Sequence, residues 1–173
     1  LCGWKGRFLN MTKSLKHMGR RTGAVLVSLL LLLTLAVSAS AAAVKMTVGV
    51  RFWRESGDKE SMADSAVDTT REATLTRQPN GTFTLELPVK QLSSMNMTGR
   101  LTGIAIGEVN YDGTLSGDLS DGTAVLTLKN LPASVLTGSD SSKALAVTCS
   151  IKMDTILLGD ITTSAKMSIW VER

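Results

Sequence analysis

The chain is short of the residues on which most catalytic and metal chemistry depends. Among its 173 residues are one histidine, two cysteines, one tyrosine, and three each of phenylalanine and tryptophan. Six of its 19 basic residues and none of its 15 acidic ones precede Ala42, so the overall charge of +4 becomes −2 from Ala42 onward. His17 and Cys2 belong to that first segment as well, which leaves the remainder with Cys149 and no imidazole. Ser-His-Asp and Cys-His catalysis are excluded there, as is ligation of zinc or haem through histidine. Its basic side chains stand singly among acids with few aromatics beside them, an arrangement that speaks against nucleic acid as a partner. Composition argues against most enzymes, and the expectation is a protein that is not an enzyme. A remainder of about 130 residues suffices for one domain that buries about two-thirds of its unfolded surface.

The first segment has the order of an export leader. Lys13 to Arg21 is positive, Ala24 to Val37 is apolar with five successive leucines from Leu29 to Leu33, and Ser38-Ala39-Ser40-Ala41-Ala42-Ala43 follows. A positive region, an apolar core and a small-residue tail define a secretory signal peptide, here cleaved after Ala41 or Ala43. Leu1 is not a start residue, so Met11 is the expected start and residues 1–10 an upstream mis-translated extension. Residues 11–43 are then the signal peptide and 44–173 the exported domain. If cleavage failed, Gly23 to Val44 could nearly span a bilayer, the one route to a membrane that the sequence offers. Cys149 is left alone in an oxidising compartment, but it stands on the apolar side of an alternating run and reads as a small buried hydrophobe.

From Val44 the pattern has the period of strands. Val44, Met46, Val48, Val50 and Phe52 share one parity, with Lys45, Thr47 and Arg51 on the other. Alternation of that kind marks a strand with one buried face. Arg71 to Arg77, Phe83 to Val89, Leu101 to Val109, Thr123 to Leu128, Leu145 to Met153 and Ala165 to Val171 continue it. Asn80-Gly81 between two of these runs is a hairpin signal. Seven or so short strands separated by Gly, Asn and Asp turns define an all-β sandwich. Ser61 to Ala66 breaks the alternation and has the composition of a short helical turn, while Tyr111 to Gly122 reads as a loop.

Several motifs yield to plainer readings. Asn110, Asp112, Asp118 and Asp121 lack the spacing of a calcium loop. Asn80-Gly81-Thr82 and Asn96-Met97-Thr98 fit the glycosylation pattern, which matters only in a eukaryotic source. Carboxylate pairs such as Glu55 with Asp58 lie in polar loops with nothing apolar to raise a pKa. Two features resist this treatment. Six methionines fall after the leader, namely Met46, Met62, Met95, Met97, Met153 and Met167, and soft thioethers either fill core gaps or line an apolar pocket. The connection Asp154 to Ile161 carries four aliphatic residues where exposed loops are normally polar, so it either plugs the sandwich end or forms the lip of a site for a flat apolar ligand.

This order of parts resembles a NEAT domain, the haem-associated surface module of Gram-positive bacteria. The similarity runs through Val44 to Trp53, Glu60-Ser61-Met62-Ala63-Asp64, Ala73-Thr74-Leu75, the turn at Asn80-Gly81, Phe83 to Leu87, Met95 to Leu101 and the final hairpin. The resemblance implies an immunoglobulin-like β-sandwich of about seven to eight strands with one short helix after the first. It implies haem as cofactor, held between that helix and the last hairpin. In that scheme Ser61 bonds a propionate, Met62 and Ala66 cover one ring face, and Ile156, Leu157 and Met167 line the other. The family's ligand tyrosine on the last hairpin is absent, since Tyr111 lies in another connection; Met62 and Met167 are the expected iron ligands instead. The implied role is haem binding or relay by a monomer, secreted or at the cell surface, with haem or a haem-carrying protein as partner. A structural or adhesive surface module with no small ligand is the alternative.

Overall fold

The structure, a computed structural model, describes residues 42–57, 59–94, 97–154 and 159–172. Residues 1–41, which hold most of the expected leader, therefore lie outside the described residues.

The described residues form ten strands: β1 (Val44–Arg54), β2 (Ala73–Arg77), β3 (Phe83–Pro88), β4 (Leu92–Ser94), β5 (Met97–Ile106), β6 (Val109–Asp112), β7 (Thr114–Ser116), β8 (Val125–Leu131), β9 (Leu145–Met153) and β10 (Asp160–Val171). A 3-10 helix, Met62–Ala66, follows β1. The strands join in the order β4-β5-β9-β10-β1-β2-β3-β8-β7, with β6 paired to β5, and every pairing is antiparallel. The two ends of this path meet. β5 and β6 pack on β8, and the Gly113 N–H donates to the Thr102 carbonyl at 2.8 Å. The sheet is thus folded over on itself into an all-β, immunoglobulin-like sandwich.

Alternation decides which side chains go inside. Phe52, Leu75, Leu85, Leu101, Leu126, Leu128, Ile151 and Met167 all lie in the core with no more than 1 % of their surface exposed. Each such side chain contributes about 1.5–3 kcal/mol by leaving water. Cys149 is among them, fully buried on β9, and burial alone pushes its thiol pKa up to about 12. The Asn80-Gly81 turn is as expected: Gly81 takes a φ of 83°, open to glycine without strain, and the Gln78 N–H donates to the Thr82 carbonyl at 2.8 Å.

The architecture differs from the expectation in its short strands. β4, β6 and β7 have three or four residues each, and β6 and β7 occupy part of the span read as the Tyr111–Gly122 loop. They are edge or capping strands too short to show alternation: β4 turns Leu92 inward, β6 Tyr111 and β7 Leu115, and one inward residue is not a period. β10 begins at Asp160 rather than Ala165, because Thr162, Thr163 and Ser164 pair with Ser150, Cys149 and Thr148 of β9. Threonine favours a pleated backbone whether or not its neighbours are apolar.

Candidate functional site

β2 leaves the side of β1 at Val48, where Val48 pairs with Ala73. Beyond that point the free edge of β1 needs other partners, since buried backbone N–H and C=O groups must be hydrogen-bonded. The 3-10 helix supplies them at Phe52. The Ser61 N–H donates to the Phe52 carbonyl at 2.9 Å, and the Phe52 N–H donates to Asp64 Oδ1 at 2.7 Å. Asp64 is buried in consequence. Burial raises its pKa above the ordinary aspartate range, with Glu60 adding to the rise; the Phe52 amide, Arg51 and Lys90 act the other way.

This strap fixes the positions of the sequence-predicted residues. Ala66, the last residue of the helix, is fully buried. Met62 points outward with 46 % of its surface exposed. Ser61, between the two environments, is only 9 % exposed, and its Oγ is buried without a hydrogen-bond partner. An orphaned hydroxyl costs about 1–3 kcal/mol relative to a satisfied one. Met167, opposite Phe52 on β10, is fully buried, so it shares no open surface with Met62 in this state. Ile156 and Leu157 lie outside the described residues, as do Met95 and Asn96.

The helix and the base of the β9–β10 connection are tied to one stretch of chain. The Lys90 N–H donates to the Ala66 carbonyl at 2.9 Å, and at the next residue Gln91 Nε2 donates to Asp154 Oδ2 at 3.2 Å. Arg100 also reaches Asp154, at 3.4 Å, and the Asp154 N–H donates to the Thr98 carbonyl at 2.9 Å. One end of the sandwich therefore gathers Ser61, Met62, Ala66 and the entry to the β9–β10 connection. Asp64, the residue that holds the turn in place, was not singled out in the sequence. Its signal was present: one carboxylate between Ala63 and Ala66, in a segment otherwise able to be buried.

Among the described residues no group of three or more His, Cys, Asp and Glu side chains is arranged to hold a metal ion. A soft, exposed thioether beside an unsatisfied hydroxyl is compatible with a flat apolar ligand that carries a polar edge, and with an iron that accepts sulfur.

The fold and this end of it define an immunoglobulin-like β-sandwich with a short helical strap behind its first strand. Solved structures similar to the chain include the NEAT5 domain of IsdX2, a B. anthracis hemophore, in complex with haem, and a single-residue mutant of the same domain with haem. Each is 9 % identical in sequence with a TM-score of 0.48, over 76 % of this chain and 98 % of the other. No protein-family model matches the sequence, and a comparison with curated proteins finds no match.

Proposed function

We propose that the chain is an exported haem-binding module that serves iron acquisition or haem relay at the surface of a Gram-positive cell. The observation that carries this reading is the pair Ser61 and Met62. A hydroxyl kept out of water without a partner sits beside an exposed thioether, and a ligand with a carboxylate edge and a thiophilic metal answers both. Ser61 takes the propionate and Met62 backs one ring face, whereas Ala66, fully buried, offers the ring no surface as the chain stands; Ile156 and Leu157, outside the described residues, are the residues expected for the opposing face. Haem iron would supply a Lewis-acidic, redox-active centre to which sulfur can bind. Of the two methionines read as ligands, Met62 is accessible as the chain stands. Met167 is fully buried in the core and reaches no ligand as the chain stands, so Met62 is the first ligand and Met167 a second only if the core opens.

Absorbance titration of the protein with haemin tests the reading. A saturable Soret shift that is lost in Met62→Ala is the expected result. If no spectrum distinct from free haemin develops, the module is structural or adhesive and has no haem site.

A further inference from the structure

The same strap leaves a gap. Along the free edge of β1, Val48 is partnered by β2 and Phe52 by the helix, and Val50 lies between them. Residues two apart on a strand present their backbone groups to the same side. Ile169, opposite Val50 on β10, confirms the orientation: its own N–H and C=O are turned away from β1, the carbonyl to the Thr137 and Gly138 amides at 3.1 Å and the N–H to Thr137 Oγ1 at 3.3 Å. The Val50 N–H and C=O therefore face the gap. A cavity of about 210 Å³ occupies that place, with Val50 in its lining together with the Asp68–Glu72 chain that leads into β2.

Its mouth is built from an aromatic ring and polar side chains. The Trp170 indole packs on Gly49, so closely that a Cβ on Gly49 would come within van der Waals overlap of the ring. Arg51, Thr69, Thr70, Glu72 and Glu172 complete the rim. Beyond Arg71, Glu72 and Pro88 the cavity is continued by a second hollow, about 300 Å³, over Thr74, Glu86 and Thr127 on the outer face of β2, β3 and β8.

We propose that this outer-face groove is a binding site for a neutral oligosaccharide, with one pyranose against Trp170 above the Val50 backbone. The cavity is below the ~300–1,000 Å³ of pockets for drug-sized ligands, and takes a single small ring. An indole face attracts the weakly positive C–H groups of a sugar face. Hydroxyls both donate and accept, which matches an amide, a carbonyl, two threonines and two carboxylates around one ring. Charge selects against anionic ligands, because the nearby cations are already neutralised: Lys45 is paired with Glu86 at 3.1 Å, Arg51 with Glu60 at 3.3 Å, and Arg71 with Asp68 at 3.9 Å. Arg71 is further held by the Gly122 and Ala124 carbonyls. Glu72 and Glu172 have no ion-pair partner among the described residues, and charged acceptors of this kind bond hydroxyls strongly. Neither Ser61 nor Met62 is in the lining of this site, which stands or falls independently of haem.

The test is calorimetric titration of the protein with maltohexaose, cellohexaose, xylohexaose, mannohexaose and chitohexaose in turn. Binding of at least one is expected, in the range of about 10 μM to 1 mM, weakened tenfold or more in Trp170→Ala and three- to tenfold in Glu72→Gln. Glu72 is exposed, so its variant folds even if loss of the indole disturbs the sheet. Absence of heat with all five at about 5 mM overturns the proposal, as does binding that both variants leave unchanged. Neither variant alters the haemin spectrum, which separates this outcome from the fate of the haem reading.

Discussion

Asp64 accepts the backbone N–H of Phe52 at 2.7 Å and thereby closes the edge of β1 where β2 has left it. The bond uses a charged acceptor in a buried place, and the two facts pull against each other. The amide favours the carboxylate, burial disfavours it, and burial is the larger effect.

The consequence for stability has a definite sign. A carboxyl whose folded pKa is raised binds its proton more tightly in the folded state, so stability falls as pH rises from the unfolded pKa near 3.9 through the folded value. Asp64→Asn keeps the Oδ1 acceptor and removes the charge. Its melting temperature at pH 7 is expected to exceed that of the parent, and its profile above pH 4 to lack the decline. Asp64→Ala instead orphans the Phe52 amide and loses about 1–3 kcal/mol at every pH. Thermal melts of the three proteins between pH 3 and 8 decide the matter.

Ser61 predicts an opposition between stability and binding. Its Oγ is buried and unpartnered, so Ser61→Ala removes a desolvated group without breaking a bond. The variant should gain about 1 kcal/mol in denaturant unfolding while binding haemin more weakly. Residues that are costly in the free protein and useful to a ligand are a recurring trade. Loss of stability in Ser61→Ala would contradict the orphaned hydroxyl.

The two methionines should part company. Met62 is half exposed, and its truncation is expected to change stability by less than about 0.5 kcal/mol. Met167 is sealed against the core, and Met167→Ala should cost about 2–5 kcal/mol. Met167→Leu conserves volume and costs under about 1.5 kcal/mol, leaving a folded protein without the thioether. If the haemin spectrum of Met167→Leu matches the parent and that of Met62→Ala does not, Met62 is the sole methionine ligand.

How far the sequence announced all this depends on how each residue is used. Strands with one face in the core, such as Val48, Val50 and Phe52 in β1 or Val147, Cys149 and Ile151 in β9, carry a period of two and were legible in place. β6 and β7 were not, because strands of four and three residues turn only Tyr111 and Leu115 toward the core, too few to show a period of two. The helical turn was visible as a break in alternation, and Ser61 and Met62 with it. Their environments were not: nothing in the local pattern says that β2 stops at Val48, so neither the strap by Asp64 nor the gap at Val50 could be anticipated. Trp170 and Gly49 are far apart in sequence, and only the β1–β10 register brings ring to glycine.

Cys149 should be chemically silent. With a thiol pKa of about 12, the thiolate fraction at pH 8 is about one part in ten thousand, and the sulfur is enclosed as well. Labelling by an aromatic disulfide reagent is expected to follow the rate of global unfolding and to rise steeply with denaturant. Rapid labelling in the absence of denaturant would mean that β9 opens locally.

Gly49 offers the sharpest test of the outer face. A methyl group there would occupy the space of the Trp170 indole, whereas one on Gly57 would meet nothing. Gly49→Ala must expel the ring from its seat or shift the β1–β10 pair, at a cost of about 1–3 kcal/mol. Gly57→Ala should change stability by less than about 0.5 kcal/mol. Displacement of the ring is read directly from near-ultraviolet circular dichroism and tryptophan emission, which should change in the first variant and not in the second. Unchanged spectra in Gly49→Ala, at unchanged stability, would mean that the indole does not lie on Gly49, and the platform of the proposed saccharide site would be lost with it.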